Sequence, residues 1–245
     1  VLIETGQLGN FTGTQLRELG MAQVNAETRN EVAELYGMPA KSAIETAQAG
    51  VEWRPVLIRI EGFIGPLVKE YVIRHVNEQR ESGRNFFIFE INSYGGDGII
   101  GLQLAEAIKD LKGVTTIAYV PAKAISAAAF IALGCDEIIM YPDAQLGDCG
   151  AMIEDADGKF QYVPEKTLSI ISSSLESLAK TKGYPPALAR AMVEKDLVVK
   201  EVRDKRTGRV LFLSDVECDQ RDPDTLEVRR TVKDKGRFLT VDGTT

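Results

Sequence analysis

The 245-residue sequence predicts an α/β protein with a parallel central sheet flanked by helices and with β-hairpins towards its C-terminal end. Three observations predict this class. From residue 56, short apolar strands alternate with segments of helical periodicity. The strand "NFFIFEI" is apolar almost without interruption, as in strands that are buried on both faces. From Glu201 the helical periodicity stops, and the turn-forming stretches "KRTGR" and "DPDT" separate short strands.

The first 50 residues differ from this pattern. "VLIETGQLGNFTGTQLRELGMA" predicts a strand, a turn and a helix, and "AETRNEVAELYG" predicts a second helix. Aligning Gly6 with Gly236 matches this start with "GRFLTVDGTT" at the other end of the chain, which indicates an internal repeat. We therefore expect residues 1–50 to be the closing hairpin and helices of a preceding repeat, or an N-terminal extension. Residues 51–245 then form the main domain, truncated at its C-terminus in a piece excised from a longer parent.

The main domain begins with the strand "VLIRIE" and a helix from Pro66 to Gly83. The periodicity predicts that five side chains of this helix point inward: Leu67, Val68, Tyr71, Val72 and Val76. After "NFFIFEI" come a helix, "IIGLQLAEAIKDLKG", the strand "TTIAYV", a short helix of small residues from Ser126 to Gly134, and the strand "EIIMY". Strands and helices that alternate at this spacing predict right-handed crossovers in a parallel sheet.

The segment after Gly150 has a weaker pattern. "EDADGKFQYVPEK" predicts a hairpin or a loop. Two helices follow it, "EKTLSIISSSLESLAKTKG" and "PPALARAMVEKDL", and the first carries an apolar stripe of Leu168, Ile171, Leu175 and Leu178.

Composition excludes several classes of function. The hydrophobic content of 44% and charged content of 27% are those of a soluble globular protein, and the chain contains no apolar run as long as a membrane span. A net charge of −7 without a basic stripe argues against a nucleic-acid partner. Cys135, Cys149 and Cys218 are too scattered for a disulfide framework or a CxxC metal site, so no metal and no cofactor is predicted.

Two predicted strand-to-helix turns carry the candidate chemistry. Gly95 and Gly96 follow a buried strand, where glycine exposes backbone N–H groups to an incoming anion, although a plain tight turn would explain the pair as well. Ser126 opens the next such turn, either as a nucleophile beside an oxyanion hole or as an ordinary helix N-cap. Because parallel strands end at one edge of the sheet, we expect the two turns to face each other.

A serine nucleophile needs a base. The single histidine, His75, falls on the polar flank of the first long helix and is predicted to be a surface residue, so a Ser-His-Asp triad is not expected. The alternative is a lysine. Lys166 ranks first because it stands at the N-terminal end of a helix, and Lys123, which precedes the serine turn, ranks second. An ordinary solvated lysine remains the alternative for Lys166.

The residues from about 55 to 200 resemble a known family. "INSYGGDGIIGLQLAEAIKDLKG", "PAKAISAAAFIALGCDEIIMYPDAQLG" and "GYPPALARAMV" are similar to the ClpP-class serine peptidases of the ClpP/crotonase fold. The similarity is greatest to the NfeD type, membrane-associated Ser-Lys proteases related to signal peptide peptidase A. The resemblance implies a spiral of β-β-α units and a peptidase domain over residues 51–245.

The resemblance also implies roles for individual residues. Ser126 would be the nucleophile and Lys166 the general base, with the backbone N–H groups of Gly96 and Ala127 as the oxyanion hole. The substrate groove would include Tyr94, Gly95 and Asp97. Cys149 falls where ClpP carries its triad histidine, which agrees with a dyad. Ala128 and Tyr94 depart from the glycine and proline that are common at their positions.

The function implied is that of a serine endopeptidase that hydrolyses extended, apolar peptide segments. The departures at Ala128 and Tyr94 keep a catalytically inactive scaffold or peptide-binding domain as the alternative, and acyl-CoA chemistry on the shared fold is a third. The resemblance further implies a peptide or membrane-protein substrate, a stomatin-like partner, a homo-oligomer, and a membrane-associated parent of which this chain is a soluble fragment.

Overall fold

A computed structural model describes residues 52–150, 152–154 and 160–244, together with positions 31, 34, 35 and 37. The predicted repeat and helices of residues 1–50 lie outside the described residues apart from those four positions. The chain divides into two compact units, residues 1–48 with 207–209 and residues 49–206 with 210–245. The elements below belong to the second unit.

Seven strands form the main sheet, and the others form smaller antiparallel sheets. The described strands are β1 (Pro55–Ile64), β2 (Phe86–Gly96), β3 (Thr115–Val120), β4 (Lys123–Ile125), β5 (Glu137–Met140), β6 (Gln145–Gly147), β7 (Met152–Glu154), β8 (Phe160–Tyr162), β9 (Val199–Asp204), β10 (Val210–Ser214), β11 (Leu226–Lys233) and β12 (Thr240–Asp242). Strand β2 is the longest strand of the main sheet and connects its two halves. Its first half pairs with β3, which pairs with β5, and its far end pairs with β4, which pairs with β6. All of these pairings are parallel, as are those between β1 and β2, whereas β12 joins β6 antiparallel.

Helices pack against the main sheet and against the antiparallel sheet of β9, β10 and β11. They are α1 (Pro66–Glu81), α2 (Gly98–Lys109), α3 (Ala127–Leu133), α4 (Glu165–Lys182), α5 (Pro186–Ala191) and α6 (Asp215–Asp219). Every residue of α3 is buried, and α2 crosses it very closely. A Cβ added to Gly101 would lie 2.8 Å from the Cβ of Ala127, and one added to Gly134 would lie 2.5 Å from the Ala105 carbonyl oxygen. Small residues in α3 therefore let a helix pack inside the core directly behind Ser126.

The C-terminal part follows the predicted hairpins. Strands β7 and β8 form an antiparallel hairpin, and β10 and β11 pair antiparallel with opposite edges of β9. The short helix α6, which the sequence analysis did not predict, begins with a capping box between Ser214 and Glu217. The predicted α/β class, with its parallel central sheet and C-terminal hairpins, is confirmed.

The prediction for the inner face of α1 is wrong at two positions. Val72 and Val76 are buried, but Leu67 is 81% exposed and Tyr71 is 39% exposed. A periodicity locates an apolar stripe, but its width depends on how much of the helix the sheet covers. Only the stripe through Val72 and Val76 faces the sheet, and Leu67 and Tyr71 line a shallow surface groove instead.

Candidate active site

The two predicted strand-to-helix turns lie against each other. Ser93 of β2 stands opposite Ala124 of β4, so the end of β2 runs beside the turn between β4 and α3. A Cβ added to Gly95 would lie 2.7 Å from the Ser126 Cβ and 3.1 Å from the Ala127 nitrogen. The structure therefore brings Gly95, Ser126 and Ala127 into one place, and only a residue without a side chain fits between the turns.

The glycine turn has a defined local cause. Gly95 has φ +102°, a conformation that favours glycine, and its N–H donates to the Ser93 hydroxyl at 2.9 Å. The buried Ser93 hydroxyl also donates to the Gly62 carbonyl. A Cβ added to Gly96 would lie 2.3 Å from the Ile64 carbonyl oxygen, which requires glycine at this position through packing. The sequence analysis did not single out Ser93, because a serine inside a strand gives no pattern of its own.

Ser126 has an unusual backbone conformation. Its φ of +56° and ψ of −126° are those of the first central residue in a type II′ turn, where glycine is the favoured residue. The Ser126 N–H donates to the Gly147 carbonyl at 3.0 Å, which fixes the turn to β6. A non-glycine residue held in such a conformation stores about 1–3 kcal/mol, and such strain is concentrated at functional sites.

The Ser126 hydroxyl does not have the role of an N-cap. Ser126 occupies the N-cap position of α3, but its side chain makes no capping hydrogen bond. Within the described residues, every buried side-chain nitrogen or oxygen has a hydrogen-bond partner, and the Ser126 Oγ has none. This hydroxyl is therefore accessible to solvent, in a residue that is half-buried.

A second strained residue lies beside the first. Asp148 has φ +44°, and it and Ser126 are the two non-glycine residues with positive φ in the described part of the chain. Asp148 is exposed, and its N–H donates to the Leu239 carbonyl at 2.8 Å, so the C-terminal segment holds this loop. No sequence pattern pointed to Asp148, because positive φ at aspartate depends on tertiary contacts.

Cys149 is next to the nucleophile turn but is not a base. Its Sγ lies 3.6 Å from the Ser126 carbonyl oxygen, to which it donates. The thiol is buried, and this burial raises its pKa far above the ordinary value for cysteine. Cys149 therefore stays a neutral thiol at physiological pH.

The remaining predicted groove residues have different contacts. The Asp97 carboxylate caps α2 by accepting from the backbone N–H groups of Ile99 at 2.8 Å and Ile100 at 3.1 Å. Tyr94 is 76% exposed, and its hydroxyl oxygen accepts a hydrogen bond from Lys123 at 2.6 Å. Asp97 thus has a helix-capping contact as well as its place beside the glycine turn.

Lys166 and Lys123, the two predicted bases, make no hydrogen bond to Ser126 among the described residues, and Lys123 donates to Tyr94 instead. Lys166 lies in the first turn of α4 and is exposed, and no hydrogen bond joins it to Ser126 in the part of the chain that the structure describes. His75 interacts within its own helix α1, where its Nδ1 lies 2.9 Å from the Tyr71 carbonyl oxygen. The described residues contain no group of three or more acidic, histidine or cysteine side chains arranged to hold a metal ion.

Comparison with known proteins places the chain in a family. The family model described as NfeD1b, N-terminal domain, matches residues 56–223, which include Ser126, Lys166 and both turns of the site. This chain belongs to the NfeD1b N-terminal domain family. The predicted resemblance to NfeD-type proteins is thereby confirmed.

The sequence of this NfeD1b-family chain is similar to the sequences of two curated proteins. The membrane protein NfeD1b of Bacillus subtilis is 27% identical over 146 residues, which are 60% of this chain and 32% of that protein. A membrane-bound protease of Pyrococcus horikoshii is 26% identical over 143 residues, which are 57% of this chain and 32% of that protein. The chain thus spans about a third of the length of both relatives. No helix in the described ranges has the length and apolar character needed to cross a membrane.

Solved structures support the fold. The 1510-N membrane-bound stomatin-specific protease of Pyrococcus horikoshii, with a serine replaced by alanine, matches with a TM-score of 0.55 and 22% identity over 69% of this chain and 77% of that one. The same protease with a lysine replaced by alanine, in complex with a substrate peptide, matches with a TM-score of 0.55 and 22% identity over 69% and 73%. At this level of identity the likeness shows a shared fold.

Proposed function

We propose that this NfeD1b-family chain is a serine endopeptidase that hydrolyses extended, apolar peptide segments with Ser126 as nucleophile and Lys166 as general base. One observation carries the proposal. Ser126 is held in a strained turn at the start of a buried helix, and its hydroxyl is open to solvent without a capping role. Strained strand-to-helix turns that expose a serine hydroxyl are a known device for presenting a nucleophile.

The proposed reaction uses the groups around this turn. The neutral Lys166 amine takes the Ser126 proton as the Oγ attacks the peptide carbonyl carbon, which gives a tetrahedral intermediate. The lysine then returns the proton to the leaving amine, and water hydrolyses the resulting ester of Ser126 by the reverse sequence. The backbone N–H groups of Gly96 and Ala127 are the proposed oxyanion donors. Ala127 is the first residue of α3, so its N–H has no acceptor within the helix.

The oxyanion donors account for a large share of the expected rate. Loss of one such donor typically lowers the rate about 10²–10³-fold. The close approach of Gly95 to the Ala127 nitrogen supports a common target for the two turns, since their backbones meet beside the Ser126 Cβ.

The role of Lys166 has its own support. In the stomatin-specific protease, the two variants with solved structures replace a serine and a lysine about 40 positions later, and Lys166 follows Ser126 at a similar spacing. Lys166 is exposed in this structure. The proposal therefore requires the start of α4 to bring its amine to about 3 Å from the Ser126 Oγ when peptide binds, as catalytic hydrogen bonds often shorten in the complex.

The biological setting follows the same relatives. We propose a peptide or membrane-protein substrate, a stomatin-like partner and a membrane-associated parent protein, because one relative is a membrane protein and another is a stomatin-specific protease. We also propose a homo-oligomer and a domain boundary near residue 50.

A peptide-binding domain without turnover is the second candidate. It is favoured by the exposed position of Lys166, which makes no hydrogen bond to Ser126 among the described residues. In that case the Ser126 turn would bind a peptide backbone and cleave nothing.

A fluorophosphonate probe tests the proposal, because it reacts with activated serines. We expect it to label Ser126 in the wild type, and we expect Lys166→Ala to abolish the labelling. Lys180→Ala is the matched control, since Lys180 lies in the last turn of the same helix, where it pairs with Glu176. Undiminished labelling of Lys166→Ala would remove this lysine from the mechanism. Peptide binding by a wild type that is neither labelled nor able to cleave would favour the second candidate.

A further inference from the structure

Lys123 lies three residues before the candidate nucleophile and has no counter-ion among the described residues. Its Nζ donates to the Tyr94 hydroxyl oxygen at 2.6 Å and lies 3.8 Å from the centroid of the Tyr94 ring. In the described part of the chain, no carboxylate lies within ion-pair distance of this ammonium. Pairing is nearly obligatory only for fully buried lysines, and this half-buried ammonium has a neutral oxygen and an aromatic ring as its contacts.

The strand register places this cation on the open side of the sheet. Lys123 is three residues before Ser126 in the chain, and its neighbour Ala124 is buried opposite Ser93. Because side chains alternate between the two faces of a sheet, Tyr94 and Lys123 stand on the other face. Tyr94 is 76% exposed there. The cation therefore lies on the open face of the strand that leads into the nucleophile turn.

The neighbours of Lys123 on both adjoining strands are uncharged. Gln145 of β6 stands opposite Lys123, and the register of Ser93 with Ala124 puts Asn92 of β2 on its other side. Both amides are exposed. On β2, the nearest acidic residue by register is Glu90, which lies two residues before Asn92 on the same face, at about 8 Å, and its carboxylate pairs with Arg59 at 3.2 Å. Lys123 and its two amide neighbours therefore offer a ligand hydrogen-bond donors and neutral acceptors, and none of the three groups carries a negative charge.

Tyr94 fixes the position of this ammonium. The hydrogen bond from Lys123, followed by the charge of Lys123, lowers the pKa of Tyr94. A lysine ammonium has three donors, and Tyr94 uses one of them. The others remain available to a ligand. A side chain that is already held loses less conformational entropy when it binds.

We propose that Lys123, held by Tyr94 and flanked by Asn92 and Gln145, is a subsite for the carboxylate side chain of an aspartate or glutamate in a bound peptide. The proposal rests on the peptide ligand of the proposed function and adds a specificity to it. The preferred segment then carries an acidic residue beside the apolar stretch that lies across Ser126.

Binding to the Ser126→Ala protein tests this subsite without turnover. The probes are fluorescein-labelled decapeptides of valine and alanine that carry one glutamate at successive positions, each with a glutamine twin. At one position we expect the glutamate peptide to bind about fivefold more tightly than its twin, the upper end of what an exposed ion pair supplies. This advantage should decrease as salt is added.

Two further variants assign the effect. Lys123→Met in the Ser126→Ala background should remove the preference for glutamate and leave the affinity for the glutamine twin unchanged. Lys69→Met is the matched control, because Lys69 also donates to a neutral oxygen, Gln103 Oε1 at 2.8 Å, but on the helical side of the domain. The control should keep the full preference.

The opposing outcomes are distinct. Equal affinity of the twin peptides at every position, or no measurable binding of any peptide, would overturn the subsite. An equal loss of both affinities in Lys123→Met would overturn it as well, since the lysine would then act by packing alone. Fluorophosphonate labelling of Ser126 is independent of these results. If the wild type is labelled but shows no preference for glutamate, the subsite is rejected and the hydrolase proposal stands. If it shows the preference but is not labelled, the hydrolase proposal is rejected and the subsite stands.

Discussion

Replacing Ser126 with glycine is expected to stabilise the protein while removing its proposed nucleophile. The reason is the backbone of Ser126, whose φ of +56° and ψ of −126° favour glycine over every residue with a side chain. Ser126→Ala removes the same hydroxyl but keeps the Cβ and therefore the strain. The comparison of these two variants isolates the conformational energy of the turn.

The expected difference follows from two opposing contributions. Relief of the strained conformation contributes about 1–3 kcal/mol to the glycine variant. Glycine also gives the unfolded chain more freedom, which costs about 0.4–1 kcal/mol relative to alanine. We therefore expect Ser126→Gly to have a free energy of unfolding about 1 kcal/mol above that of Ser126→Ala. For a domain of this size, such a difference raises Tm by about 2–4 °C.

Urea unfolding followed by circular dichroism measures this difference. Ser173→Gly is the matched control, because Ser173 is an exposed residue inside α4, where glycine lowers helix stability by about 0.5 kcal/mol. Relative to the matching alanine variant, glycine should therefore stabilise the protein at position 126 and destabilise it at position 173. If Ser126→Gly is no more stable than Ser126→Ala, the turn is not strained, and the structural argument for a presented nucleophile fails.

Two further predictions concern Gly95 and Asp136. Gly95→Ala should lower the free energy of unfolding by about 3 kcal/mol and slow the labelling of Ser126, because φ is +102° and the new Cβ would lie 2.7 Å from the Ser126 Cβ. Gly113→Ala, with φ +71° and no atom within 4 Å, should cost only about 1 kcal/mol, and equal losses would contradict the contact. The second prediction concerns the Asp136 carboxylate: burial would raise its pKa, but hydrogen bonds from Lys182 and Thr116 outweigh burial and hold the pKa below the ordinary value. The stabilisation from this group is complete above the unfolded pKa of about 3.9 and is lost as pH falls through the lower folded pKa. Asp136→Asn should therefore show a shallower loss of stability below pH 4 in acid titrations, and a slope equal to that of the wild type would contradict the ion pair.

Whether the position of a residue could be predicted from the sequence depends on how local the cause of that position is. Gly95 and Gly96 were recognised because a glycine pair after a buried strand is a short-range pattern, and the buried stripe of α4 through Leu175 and Leu178 follows from its own periodicity. The outward position of Leu67 could not be predicted in the same way, because it depends on how much of α1 the sheet covers. Lys166 was chosen for its place at the start of a helix, and its distance from Ser126 depends on the packing of a different part of the chain.

The amino-acid sequence by itself determined the alternation of the longer strands and helices, the parallel sheet and the two turns at its edge, since these follow from hydrophobic period and turn chemistry within short windows. Only the tertiary structure decided the positive φ of Ser126 and Asp148 and the pairing of Lys123 with Tyr94. Each of these depends on strand register and on contacts between residues that are distant in the chain. Such contacts select one backbone conformation against its local preference, and no local pattern of residues records them.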